Sequence, residues 1–363
     1  MFIEAPEFVN REREIRELKA ILSGRPNLVY FVYGPINSGK TALLMKVFNE
    51  LPPDYIVFYI NFRARHVANF IDLLKVLFEV RYGERRKKVS QIVKEFLKTG
   101  AKTVEKFKGI PVPEKIFDYL FADSRKIEDI FKYLEEVFEE IVIKGYRPVL
   151  VFDEMQVIKE VVNEAGRPVL SELFNFGVRI TKETHLCHVL CATSDCLFID
   201  MVYSNARLEG RARYFLVDDL DRDEALKVYP AFGFEDKESV WDYIGGNFGD
   251  IIILFEEKKR GYPEKVALQK MLKDEIAKLE EFIMRLKKVR KKVIFEGEEI
   301  PIDAEGLIKN LKVFKKEERI NTSKIDLIYR NFLIEQNILF YNPLEGTVRP
   351  QSRLLWNALK EVL

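Results

Sequence analysis

Six consecutive apolar residues, Leu28-Val29-Tyr30-Phe31-Val32-Tyr33, run straight into Gly34-Pro35-Ile36-Asn37-Ser38-Gly39-Lys40-Thr41. An unbroken apolar run suits a strand covered on both faces, the situation of strands in parallel sheets. The eight residues after it spell G-x-x-x-x-G-K-T, and a helical stretch from Thr41 to about Glu50 completes a strand–loop–helix unit. Glycines let consecutive backbone N–H groups turn inward around a phosphate, and the helix N-terminus adds the positive end of its dipole. Gly34, Pro35, Ile36, Asn37, Ser38, Gly39, Lys40, Thr41 and Ala42 therefore form a phosphate cradle. Lys40 is expected to reach the β/γ oxygens of a nucleotide, and Thr41 to offer its hydroxyl to Mg2+.

Further apolar runs at Tyr55–Ile60, Val149–Phe152, Leu186–Ala192 and Tyr214–Val217 alternate with helical stretches. This pattern predicts repeated βα units around one parallel sheet flanked by helices. The Val149 strand ends in Asp153-Glu154. A carboxylate at that strand end can hold Mg2+ through water, the role expected of Asp153. Glu154 can polarise a water for in-line attack, which points to hydrolysis rather than to transfer onto a substrate hydroxyl. The next strand ends in Thr193-Ser194-Asp195, where a hydroxyl can sense the γ-phosphate, Ser194 being the first choice and Thr193 the second. Arg207, Arg211 and Arg213 precede the last strand. Arg211, after Gly210, is the best placed to act as an arginine finger toward the same or an adjacent subunit.

Around this core, Asn10 is expected to cap an amphipathic helix beginning Arg11-Glu12-Arg13-Glu14. A basic helical insertion occupies about 81–122 and precedes an acidic helix from Asp123 to about Glu140. Residues 219–262 read as short helices broken by Pro230 and Gly245-Gly246. A long helix follows from Pro263 to about Lys292, within a connecting segment 263–295, its apolar stripe packing against those short helices rather than forming a coiled coil. Residues 296–363 read as helix, helix, a hairpin turning at Asn342-Pro343-Leu344-Glu345-Gly346, and a last helix, the order of a winged-helix domain.

Charge and cysteine usage narrow the function classes. Lys plus Arg total 59 against 58 Asp plus Glu, a net charge of +1, so there is no global attraction to nucleic acid or anionic membrane. The basic runs Arg85–Lys88 and Arg285–Lys292 read first as solvated helix faces, with nonspecific phosphate contact as the alternative. No apolar run approaches the roughly 18 residues of a membrane span, and the N-terminal residues lack a signal pattern, so the expected location is the cytoplasm. His185, Cys187, His188 and Cys191 suggest zinc ligands by type, but strand alternation puts His188 on the face opposite Cys187 and Cys191. Core packing is the better reading, and His66 reads as a surface residue at a helix start.

Taken in order, these motifs resemble the archaeal ATPase family within the AAA+ and STAND-like P-loop proteins. Phe8-Val9-Asn10-Arg11-Glu12 resembles the family's opening box, and Asp153-Glu154-Met155-Gln156 its acidic motif with a trailing Gln. Gly210-Arg211-Ala212 and Gly245-Gly246-Asn247 are similar to its Gly-Arg-Ala segment and its double-glycine lid turn. The departures are Thr193-Ser194-Asp195, where the family tends to have Gly-Ser, and the long insertion.

The resemblance implies an α/β P-loop ATPase core at 1–218, a helical lid at 219–262 and a C-terminal winged helix. It also implies that ATP is the nucleotide and that Arg11 lies near its base. The expected function is Mg2+-dependent ATP hydrolysis coupled to movement of the lid and winged helix, with duplex DNA or a protein as partner and an ATP-dependent homo-oligomer as the working form. The alternative is a slow monomeric switch with negligible turnover.

Overall fold

The computed structural model describes residues 10–64, 72, 103–104, 112–113, 127–162, 168–204, 208–289, 291–295 and 298–363. Phe8-Val9, His66, Arg207 and nearly all of the basic insertion lie outside these residues. The chain divides into two compact units. One contains the described residues of Glu12–Tyr33 and Leu43–Phe215; the other contains Arg11, Gly34–Ala42 and Leu216–Leu363.

The first unit is built on a five-stranded sheet. In chain order its elements are α1 (Glu12–Ser23), β1 (Val29–Tyr33), α2 (Lys40–Asn49, from Leu43 onward), β2 (Tyr55–Asn61), β3 (Thr103–Val104), β4 (Val112–Pro113), α3 (Ile127–Ile143), β5 (Arg147–Asp153), α4 (Val169–Val178), β6 (His188–Thr193), α5 (Cys196–Tyr203) and β7 (Ala212–Leu216). The sheet order is β2-β5-β6-β1-β7, with β2–β5, β5–β6 and β6–β1 all parallel. β3 and β4 pair antiparallel with each other. All five central apolar strands appear where expected, within two or three residues at each end. Helices bury one stripe against the sheet: Phe138 of α3 meets Phe58 of β2 edge-on at 5.2 Å, and Phe174 of α4 meets Phe31 of β1 at 5.7 Å. Cys187, Cys191 and Cys196 are buried free thiols, and burial pushes Cys187 and Cys191 well above the usual thiol range. They belong to the core, as the strand alternation indicated.

One expectation fails at α1. Asn10 and Arg11 are both left-handed, with φ of 65° and 75°, so Asn10 is not an N-cap and the helix starts at Glu12. An N-cap needs extended backbone, which this turn does not supply.

The second unit holds α6 (Arg222–Val228), α7 (Lys237–Ile244), α8 (Phe248–Lys259), α9 (Glu264–Lys288), β8 (Lys291–Phe295), β9 (Glu298–Ile302), α10 (Ala304–Leu311), β10 (Ile320–Asn321), α11 (Leu327–Glu335), β11 (Leu339–Asn342), β12 (Thr347–Pro350) and α12 (Arg353–Val362). Asp221 and Glu224 close a capping box on α6. Leu268 and Met271 of α9 share a core with Val228, Tyr229, Phe232, Ile251 and Phe255, so the long helix packs on the short helices before it as its stripe predicted. It ends at Lys288, short of the expected Lys292. Val289 is already extended, and Lys291–Phe295 pairs antiparallel with Glu298–Ile302 in a hairpin the sequence reading missed. The β-branched Val293-Ile294 pair, opposite Ile300 and Glu299, favours a pleated edge over another helical turn. The C-terminal strands form a second antiparallel sheet, β10-β12-β11. The double glycine Gly245-Gly246 has a steric cause: a Cβ on Gly246 would lie 1.9 Å from the Leu220 carbonyl oxygen.

Asp250, in the first turn of α8, buries its Oδ2 without a hydrogen-bond partner. Burial pushes its carboxyl up to about 7, with Asp219 and Glu275 adding to the shift and Ser352 and Lys278 opposing it. The folded state thus holds a proton that the unfolded state releases near pH 4. Stability should fall as pH rises from about 4 to about 7 by at most about 4 kcal/mol. Urea unfolding of wild type and Asp250→Asn at pH 5 and pH 8 checks this, the variant losing that pH dependence.

Candidate nucleotide site

The phosphate loop lies in the second unit. Asn37 and Gly39 have φ of 61° and 90°, the left-handed kinks that turn successive N–H groups to one side. A Cβ on Gly34 would sit 2.1 Å from the Val217 carbonyl oxygen, so only glycine fits there. Lys40 is 9% exposed, and its Nζ donates to the carbonyls of Gly34 (3.1 Å) and Pro35 (2.7 Å). This arrangement keeps the ammonium over the loop.

Arg11, 2% exposed, braces the same loop. Its Nη2 donates to the Ser38 carbonyl at 2.7 Å and the Asp218 carbonyl at 2.5 Å, and its guanidinium stacks 5.5 Å from the Phe248 ring centre. Arg11 thus ties the loop backbone at Ser38 to the segment after β7 at Asp218. Asn247, after the double glycine, caps α8 and donates to the Ile36 carbonyl (3.1 Å) and to Asp219 Oδ1 (2.9 Å).

Sequence reasoning missed the residues that tie this corner together. Arg349 on β12 is 7% exposed and donates to Asp218 at 2.5 Å and Asp219 at 2.9 Å. Gln351 accepts from the Ile36 N–H at 3.2 Å. Burial alone would raise both aspartates, but the Arg349 guanidinium holds Asp218 below the usual carboxylate range. Asp219, enclosed further and beside the Asp218 charge, stays raised by burial. Arg319 also pairs with Asp218, at 3.2 Å. Adjacent acids at 218–219 after an apolar strand were the available signal, but their arginine partner lies 130 residues away.

The acidic motif lies in the first unit. Asp153, 3% exposed, ends β5 and accepts the Glu154 N–H at 3.0 Å and the Tyr59 hydroxyl. Glu154 is left-handed, with φ of 60°. Its Oε2 takes Gln156 Nε2 at 2.8 Å and Arg63 Nη2 at 2.7 Å, and its side chain is 13% exposed. Gln156 Oε1 in turn accepts the Thr193 hydroxyl at 2.6 Å, so a relay runs Thr193–Gln156–Glu154. Thr193 also receives the Asp195 N–H at 3.0 Å. Register places these strand ends together: Tyr33 opposes Thr193 and Ala192 opposes Asp153. Ser194, half-buried, follows the strand. Arg211 and Arg213 are exposed beside the start of β7, and the Arg211 carbonyl accepts the Val29 N–H at 3.0 Å.

A parallel sheet in this order, with a G-x-x-x-x-G-K-T loop after β1 and an acidic pair after β5, defines a P-loop nucleotide-binding protein. The family profile described as an ATPase domain predominantly from Archaea matches residues 8–254, and the C-terminal domain of MJ1010-like ATP-binding proteins matches 265–363. The chain belongs to this archaeal ATPase family and is an ATP-binding member of it. It is 42% identical to the uncharacterized ATP-binding protein MJ0147 of Methanocaldococcus jannaschii over 98% of both chains. It is 41% identical to MJ0801 of the same organism, over 98% of this chain and 100% of the relative. Among solved structures, the Walker-type ATPase PABY2304 of Pyrococcus abyssi superposes with a TM-score of 0.60 at 16% identity, covering 97% of this chain and 96% of that one. The Aeropyrum pernix ORC2 protein gives 0.50 at 14%, covering 99% and 94%. These two share the fold. No helix among the described residues is long and apolar enough to cross a membrane.

Removing one member of a buried charge cluster leaves the others uncompensated. Arg349→Leu should cost about 3–5 kcal/mol in urea unfolding, and adding Asp219→Asn should recover part of that loss, since the two sites are in direct contact.

Proposed function

We propose that this protein hydrolyses ATP with Mg2+ and uses nucleotide state to move its lid and C-terminal domain. The observation that carries the reading is the Glu154 carboxylate, set directly after Asp153 and oriented from both sides by Gln156 and Arg63. An oriented, mostly buried carboxylate is suited to take a proton from an attacking water. Thr41 and Asp153 offer the hard oxygen ligands Mg2+ prefers, and the ion would neutralise charge developing on the β- and γ-phosphates.

In this reading Lys40 and the loop N–H groups bind the phosphates. The relay geometry favours Thr193 over Ser194 as the hydroxyl that senses the γ-phosphate, because Thr193 reaches Glu154 through Gln156. Arg211 serves as an arginine finger supplied to a neighbouring copy, which its exposure before β7 suits. The order α10, β10, α11, β11–β12 supports a winged-helix reading of the C-terminal domain, with duplex DNA or a protein as its partner. A cytoplasmic protein acting as an ATP-dependent homo-oligomer fits this scheme.

Lys40→Ala should abolish detectable ATP binding in a calorimetric titration. Glu154→Gln should bind ATP with near wild-type affinity but lower turnover at least 100-fold, an effect in the range of lost general-base catalysis; turnover at the normal rate assigns the water to another group. Steady-state hydrolysis per mole should climb with protein concentration if Arg211 acts between copies. Arg211→Ala mixed with Glu154→Gln should then recover activity that neither has alone. A flat, very low rate supports the slow monomeric switch instead.

A further inference from the structure

We propose that Gln351 is a positioning residue through which the C-terminal domain holds the phosphate loop and reads the terminal phosphate of the nucleotide. The inference deepens the proposed function and rests on it. Ile36, the third residue of the loop, is gripped on both of its peptide planes. Its N–H donates to Gln351 Oε1 at 3.2 Å, and its carbonyl accepts Asn247 Nδ2 at 3.1 Å. The next residue, Asn37, is left-handed and lies against Gly249, so the loop has little slack on that side.

Gln351 is itself fixed. It is 8% exposed, its Nε2 donates to the Leu339 carbonyl at 3.0 Å, and its backbone N–H donates to the Ile338 carbonyl at 3.1 Å. A carbonyl on one side and an N–H on the other leave one amide orientation that satisfies both partners. The loop peptide is therefore tied through one side chain to the β11–β12 hairpin. Arg349, two residues earlier, anchors the same hairpin to Asp218 and Asp219 just after β7.

The Ile36 N–H has one hydrogen to give. While Gln351 accepts it, a phosphate oxygen cannot. A γ-phosphate drawing the loop inward competes with Gln351 for this donor, and a diphosphate, lacking that group, does not. Binding of triphosphate then loosens the hairpin, and by linkage whatever holds the hairpin in place weakens triphosphate binding by the same factor. The lid is engaged at the same point, since Asn247 spans the Ile36 carbonyl and Asp219.

Two measurements on the full chain test this. In Gln351→Met, which keeps length and loses the acceptor, titration with fluorescent ATP and ADP analogues in Mg2+ should show the ATP:ADP affinity ratio raised three- to tenfold, the scale of one net hydrogen bond. In the unmutated protein, amide exchange across Leu339–Pro350 should rise with ATP and not with ADP, a readout that does not depend on the variant folding. An unchanged or lowered ratio, or the same exchange with both nucleotides, overturns the clamp. If the unmutated chain binds neither nucleotide, the nucleotide-site reading falls with it. If both bind in a Lys40-dependent manner and neither readout moves, the site stands and the clamp alone is wrong.

Discussion

The insertion of β6 between β1 and β5 governs the acidic half of the site. Parallel pairing on both edges of β6 brings three strand ends into register, Tyr33 beside Thr193 and Ala192 beside Asp153. The ends of β5 and β6 continue into Asp153-Glu154 and Thr193-Ser194, whose side chains meet through Gln156. Ligand sites in open α/β sheets form at the carboxyl ends of strands where the strand order reverses, because the connections diverge there and leave a crevice. The apolar runs are what make this register rigid, since strands buried on both faces cannot slip without exposing a large apolar surface.

Within that frame the acidic motif is a set of mutually oriented groups rather than a pair of carboxylates. Tyr59 and the Glu154 N–H hold Asp153, while Arg63, Gln156 and Thr193 set Glu154. The left-handed backbone at Glu154 turns its side chain out of the strand direction and into reach of these partners. In the other unit the corresponding framework is the Arg349 cluster, in which a buried guanidinium pairs with two adjacent half-buried aspartates after β7.

Much of this was legible from particular residues. The loop from Gly34 to Thr41 announces itself because phosphate binding needs backbone N–H groups, glycine and a lysine at fixed spacing within one short segment. Asp153-Glu154 was legible because the strand before it is an unbroken apolar run. The C-terminal hairpin turn was marked by Asn342-Pro343 and Gly346, and the stripe of the long helix by its repeat. Harder cases were those in which local signals conflicted. Asn10 looks like a cap until the backbone turns left-handed, and Lys291–Phe295 looks like a helix tail until Glu298–Ile302 pairs with it.

By itself, the sequence determined the βα architecture, the phosphate loop and the acidic pair, because each depends on local periodicity or on residues within a few positions of one another. Tertiary structure alone decided which hydroxyl meets the acidic motif, that Arg11 braces the loop backbone, and that Arg349 and Gln351 reach back to Asp218, Asp219 and Ile36. Those partners are separated by up to 315 residues, and a hydrogen bond across such a distance leaves no pattern in a single chain. It exists only once burial has removed water as the competing partner and packing has brought donor and acceptor within about 3 Å.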